Sequence, residues 1–139
     1  MLPQNISLDV VTPDRRALSA EAAAVVLPGE RGAFGVRPGH HPMLAALRPG
    51  LMKVRRAGGV EERFAVGAGF AEVLPARVNV LVSSCERAEE IDLERARAAL
   101  SRAEQRLRER RAGVDRQRAE RALERARARL RVAERRPAG

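Results

Sequence analysis

Few residues in this chain have the types and spacing that chemistry needs. His40 and His41 are adjacent within Arg37-Pro38-Gly39-His40-His41-Pro42, and a histidine pair raises the question of a metal ion. Neighbouring side chains on an extended segment point in opposite directions, and neither an acid nor a cysteine stands nearby to complete a ligand set, so the two read as loop residues. Cys85, the only cysteine, closes a valine-rich run, where a small buried residue is expected rather than a nucleophile. One cysteine also excludes an internal disulfide framework. The only lysine, Lys53, is followed by Val54, so no G-x-x-x-x-G-K-[ST] phosphate cradle exists. No G-x-S-x-G elbow and no H-E-x-x-H pair occur either. The sequence reads as non-catalytic, with no metal site.

What remains is arginine. Lys and Arg number 27 against 18 Asp and Glu, for a net charge of +9 in 139 residues. The excess is concentrated: residues 1–86 hold ten basic and eight acidic side chains, residues 87–139 seventeen and ten. A basic segment of this kind suggests a nucleic-acid- or ribosome-binding adaptor through phosphate contacts. Against that reading, acids alternate with the arginines, as in Glu104/Arg108 and Glu120/Glu124/Arg127, giving a mixed helix face, and no Tyr or Trp offers a stacking platform. The adaptor therefore ranks second. No apolar run approaches the roughly 20 residues of a membrane-spanning helix, and the N-terminus has no signal-peptide pattern, so the chain reads as soluble.

The elements that would position these residues fall into two groups. Before residue 87, short extended runs alternate with turn residues. Ile6-Ser7-Leu8-Asp9-Val10 has a period of two and is broken by Thr12-Pro13-Asp14. Further runs at 22–27, 51–54, 63–66, 70–74 and 78–82 are bounded by Pro28-Gly29, Pro49-Gly50, Gly58-Gly59 and Gly67-Ala68-Gly69. This pattern predicts an antiparallel β-sandwich or barrel of about ten short strands over residues 1–86.

Residues 87–139 are different. Ala, Arg, Glu and Leu dominate, and no proline occurs from 92 to 136. Leu93, Ala96, Leu100, Ala103 and Leu107 form one helical stripe, and Ala119, Ala122, Ala126, Leu130 and Ala133 a second. Between them Gly113 suits a left-handed helix end and Asp115 a helix cap. The prediction is an α+β protein whose sandwich is followed by an antiparallel helical hairpin. Alanine contacts bury little area, so the hairpin's hold on the sandwich should be weak and the arm able to move.

The order and spacing of several motifs resemble the epsilon subunit of the F-type ATP synthase. They are Leu8-Asp9-Val10-Val11-Thr12-Pro13, Gly35-Val36-Arg37-Pro38-Gly39-His40, Pro42-Met43-Leu44, Arg48-Pro49-Gly50, Gly69-Phe70-Ala71-Glu72-Val73, Val78-Asn79-Val80-Leu81 and Glu86-Arg87-Ala88-Glu89-Glu90-Ile91-Asp92-Leu93-Glu94-Arg95-Ala96. The resemblance implies a non-catalytic rotor subunit. Its sandwich would bind the gamma subunit and the membrane c ring, and its hairpin would reach the alpha/beta head and inhibit ATP hydrolysis. It further implies a peripheral location on the cytoplasmic face of a bacterial plasma membrane, with membrane contact only through the complex and no nucleic-acid partner.

The segment Ile91-Asp92-Leu93-Glu94-Arg95-Ala96 is also similar to the motif by which some bacterial members bind ATP as a regulatory ligand; no cofactor is otherwise required. By that resemblance Glu86, Ile91, Asp92 and Arg95 would contact adenine or its surroundings, Ala96 would belong to the same site, and Arg102, Arg118, Arg125 and Arg129 would lie towards the phosphates. Arg118, Arg125 and Arg129 fall within about 40° of one another on a helix. Contacts with gamma and the c ring would involve Glu30, Arg31, Ala33, Pro38, His40 and His41. Relatives often carry an acid where Ala33 stands.

Overall fold

The computed structural model describes residues 4–109 and 116–134. Nine strands are present among them: β1 (Ile6–Val11), β2 (Arg16–Gly29), β3 (Gly32–Val36), β4 (Met43–Leu47), β5 (Gly50–Arg56), β6 (Glu61–Val66), β7 (Gly69–Val73), β8 (Arg77–Val82) and β9 (Cys85–Arg87). A 3-10 turn (Ala88–Glu90) leads into α1 (Leu93–Arg108), and α2 (Arg116–Glu134) follows.

Alternation drives the sandwich. Ile6, Leu8 and Val10 of β1, Met52 and Val54 of β5, and Val78 and Val80 of β8 all point inward and are fully buried. Each such side chain contributes about 1.5–3 kcal/mol by leaving water. Strand β2 is long enough to serve two layers. Its first half pairs with β1 (Leu8 opposite Ala20) and its second half with β3 (Leu27 opposite Phe34), while β5 runs along its other side (Val25 opposite Val54). Strands β4, β7, β8 and β1 form the second layer, and β4 returns to the end of β2 where Leu47 meets Gly29. One pairing departs from the antiparallel expectation: β1 and β8 are parallel. Parallel neighbours need a long connection, and here the six strands between β1 and β8 supply it.

Gly69 opens β7 where no side chain fits, since a Cβ there would lie 1.9 Å from the carbonyl oxygen of Leu81. The expected Gly67-Ala68-Gly69 turn is therefore a close backbone approach as well as a turn.

Asp92 caps α1: its Oδ1 accepts from the backbone N–H groups of Glu94 (3.0 Å) and Arg95 (3.2 Å). The expected second stripe is seen, with Ala119, Ala126, Leu130 and Ala133 buried. Ala128 and Val132 are buried too, on nearly the opposite face of α2. This second face was not anticipated, and it exists because α2 packs against α1 and also against β5 and β6. A second apolar cluster joins Ala65 and Leu51 of the sheet to Ala88, Ile91, Ala96, Leu130, Val132 and Ala133. The main sandwich core contains no hairpin residue. The turn expected at Gly113 and Asp115 lies outside the described residues.

Across β5, β6 and β9, charges cluster. The Glu62 carboxylate is hydrogen-bonded by both Arg56 and Arg87, and Arg87 lies over the Phe64 ring at 5.4 Å. Burial alone would raise the Glu62 pKa, but the Arg56 hydrogen bond and the charges of Arg56 and Arg87 outweigh it and hold this carboxyl below its usual value.

Candidate functional site

The two helices bring arginines to one side of the alanine seam. Arg102 and Arg106 are four apart on α1, and Arg125 and Arg129 four apart on α2, so each pair shares a face. Ala99 and Ala103 on α1 and Ala122 and Ala126 on α2 are too small to fill the space between the helices. A cavity of about 300 Å³ results, floored by Ala65 and Val66 of β6 with Ser84 and Glu86. All four arginines line it. The small seam residues thus leave an opening as well as a weak contact.

Glu86 lies opposite Arg129. The Arg129 terminal nitrogen donates to Glu86 Oε2 at 3.2 Å. Its Nε comes within 2.9 Å of Oε1, at an angle that makes an ion pair without a hydrogen bond. Arg102, Arg106 and Arg125 are exposed and form no ion pair among the described residues. One carboxylate against four guanidinium groups leaves the cavity strongly positive. Its size suits a small ligand, and guanidinium forks suit phosphate oxygens.

Of the residues tied to ATP by resemblance, Glu86, Arg102, Arg125 and Arg129 meet in this cavity. The others do not line it. Ile91 and Ala96 are buried in the apolar cluster between hairpin and sheet. The Asp92 carboxylate is engaged as the α1 cap, and Arg95 is exposed in the first turn. Arg118 is exposed near the start of α2. Seven residues separate Arg95 from Arg102 and Arg118 from Arg125, about 10 Å along each helix, so an aligned stripe runs past the end of the opening. Arg106 and Ser84 were missed. The i,i+4 spacing of Arg106 from Arg102 was a usable signal for the first, and nothing in the sequence marked the second.

The residues tied by resemblance to gamma and the c ring occupy two loops. Glu30 and Arg31 form the tip between β2 and β3, Gly32 at φ +129° begins the return strand, and Ala33 follows it. Pro38, His40 and His41 lie in the β3–β4 connection, where His40 Nδ1 is 2.8 Å from the His41 carbonyl oxygen. The five residues of β3 hold these loops roughly 17 Å apart, so they are two contact regions rather than one. A further surface was not anticipated: Phe70 (56% exposed), Leu81 (55%) and Val11 (37%) stand in register across β7, β8 and β1. They form an apolar row on the sandwich's outer face. Cys85 is buried, and burial above all pushes its thiol up to about 11, which disfavours the nucleophilic thiolate.

The chain matches the family model of the ATP synthase delta/epsilon chain beta-sandwich domain over residues 5–88 and that of its long alpha-helix domain over residues 89–134. It is 50% identical over 109 residues to the ATP synthase epsilon chain of Moorella thermoacetica, covering 78% of this chain and 81% of that one. The corresponding chain of Desulfosudis oleivorans is 48% identical over 106 residues, covering 76% and 80%. A chain in the structure of the Euglena gracilis mitochondrial ATP synthase, solved with OSCP, F1 and c-ring, superposes with a TM-score of 0.85 at 29% identity, covering 96% of this chain and 84% of that one.

Proposed function

Because the chain belongs to the ATP synthase delta/epsilon family and is a non-catalytic epsilon subunit of that complex, we propose that its hairpin is a regulatory arm set by a nucleotide held in the interhelical cavity. As a central-stalk subunit it works with the gamma subunit, the c ring and the catalytic head, and it associates peripherally with a membrane complex. No helix among the described residues is long and apolar enough to cross a membrane. The cytoplasmic face of a bacterial plasma membrane is the location that fits the bacterial relatives.

The carrying observation is the cavity's construction, with arginines contributed by both helices and a floor contributed by the sheet. A ligand spanning these walls binds only while the hairpin is closed and docked. It therefore favours that pose over an extended one that reaches the head and inhibits hydrolysis. The exposed row of Phe70, Leu81 and Val11 is the sandwich surface best suited to lie against gamma, since β5 and β6 carry the hairpin on their outer side.

Calorimetric titration of ATP into the isolated subunit tests the site. Arg102→Ala and Arg125→Ala should each weaken binding by about tenfold or more, whereas Arg118→Ala, outside the cavity, should bind like the parent. No heat at about 1 mM ATP, or equal affinity in all four proteins, would overturn the regulatory reading of this cavity.

A further inference from the structure

We propose a second anion-binding site, distinct from the interhelical cavity, in the groove between the C-terminal half of α2 and the outer face of β5. Its ligand class is a compact, multiply charged phosphate anion such as a short polyphosphate chain. The groove encloses about 810 Å³, and Lys53, Arg127 and Arg131 line it.

Two like-charge pairs mark the site, and Arg63, the one member outside the groove's lining, stands beside Lys53 in register. Lys53 and Arg63 stand directly opposite each other in the β5–β6 register, both half-buried on the sheet's outer face. Arg127 and Arg131 are four apart on α2 and therefore neighbours on its surface. Directly opposed like charges on a sheet, and like charges at i,i+4 on a helix, each destabilise the element that carries them. Neither pair is neutralised by an ion pair among the described residues. Two acids do line the groove. Glu124 is taken by Arg48 at 3.2 Å, and Glu134 pairs with none of the four cations within 4.0 Å.

An anion seated against Lys53, Arg127 and Arg131 would relieve the Arg127–Arg131 repulsion directly and offset the charge of Lys53 beside Arg63. Because Lys53 and Arg63 belong to the sandwich and Arg127 and Arg131 to the hairpin, it would also bridge the two. The half-burial of Lys53 and Arg63 matters, since solvent screens their mutual repulsion less than it would at a fully exposed pair. Lysine adds a mobile point charge to the planar arginine forks, a combination suited to a ligand with several phosphate oxygens at different depths.

The test uses the full chain carrying Arg102→Ala and Arg125→Ala, so that the interhelical cavity is disabled and its own failure or success is read separately with ATP. Sodium tripolyphosphate is titrated into this protein by calorimetry at fixed ionic strength. Binding should persist, and adding Lys53→Ala with Arg131→Ala should weaken it by about tenfold or more, while Lys53→Arg alone should retain it. These substitutions remove partly or fully exposed charges, and circular dichroism confirms the fold in each. Absence of binding in the cavity-disabled protein overturns the proposal. So does unchanged affinity after Lys53→Ala with Arg131→Ala.

Discussion

Glu62 and Glu86 sit on the adjacent strand β6 and just before Arg87 on β9, and each does its work by holding arginine. Glu86 takes Arg129 from the hairpin, whereas Glu62 takes Arg56 and Arg87 within the sandwich and so fixes the last residue of the sheet. The Glu62 carboxyl titrates below its ordinary value, near 4.5, so its charged form is favoured by folding. Its contribution to stability is therefore present above that value and is lost as pH falls through the lower folded-state pKa. Glu62→Gln should destabilise the protein by roughly 1 kcal/mol at neutral pH, a figure reduced for the partial exposure of both arginines. Denaturant unfolding followed from neutral pH into the acid range should show a shallower loss of stability in Glu62→Gln than in the parent. At this level the sequence was informative only in part. Family motifs singled out Glu86, Arg102, Arg125 and Arg129, and the cavity contains them. The same resemblance named Arg118, which lies one helical stretch beyond the cavity lining, because angular position carries no information on where an opening ends.

Among the elements, strands with clean alternation or an apolar run bounded by turn residues were readable, and β3, β4 and β9 were not. β3 holds two glycines in five residues, β4 reads Met43-Leu44-Ala45-Ala46-Leu47 without any polar alternation, and β9 has only three residues. Pairing to neighbouring strands, rather than their own propensity, makes them strands. The second buried face of α2 was hidden for a related reason: Ala128 and Val132 are surrounded by arginines in sequence, and their burial comes from the sheet. Leu130 is the largest α2 side chain in the cluster between hairpin and sheet. Leu130→Ala should cost about 2 kcal/mol, the low end for a buried leucine because the site borders a groove. Hydrogen exchange should then quicken in α1 and α2 while β1 and β8, in the separate main core, keep their protection. Equal acceleration in all four elements would mean that sandwich and hairpin unfold as one unit.

For the whole molecule, the division of labour follows the division of cores. The sandwich has its own apolar interior, and the hairpin rests on it through a modest cluster rich in alanine. Among the described residues, the ion pairs from sandwich to helices, Arg48–Glu124 and Arg129–Glu86, are partly exposed, and pairs of that kind contribute at most about 1 kcal/mol each. A docked pose held this lightly can be shifted by a ligand. At a hundredfold excess over its dissociation constant, a nucleotide in the interhelical cavity would add about 2.7 kcal/mol to the docked state. That exceeds what the two crossing ion pairs contribute together, so on the proposed reading the hairpin's position would respond to nucleotide concentration.

The decisive measurement is the ATP hydrolysis rate of an alpha–beta–gamma complex reconstituted with the full chain, compared with the same complex carrying a chain that lacks residues 88–139. The main sandwich core keeps all its members after this truncation, so both forms should bind gamma. Hydrolysis should be faster with the truncated chain, and the difference should shrink as ATP rises. Failure of the full chain to bind gamma, or equal hydrolysis rates at every ATP concentration, would contradict the regulatory-arm account.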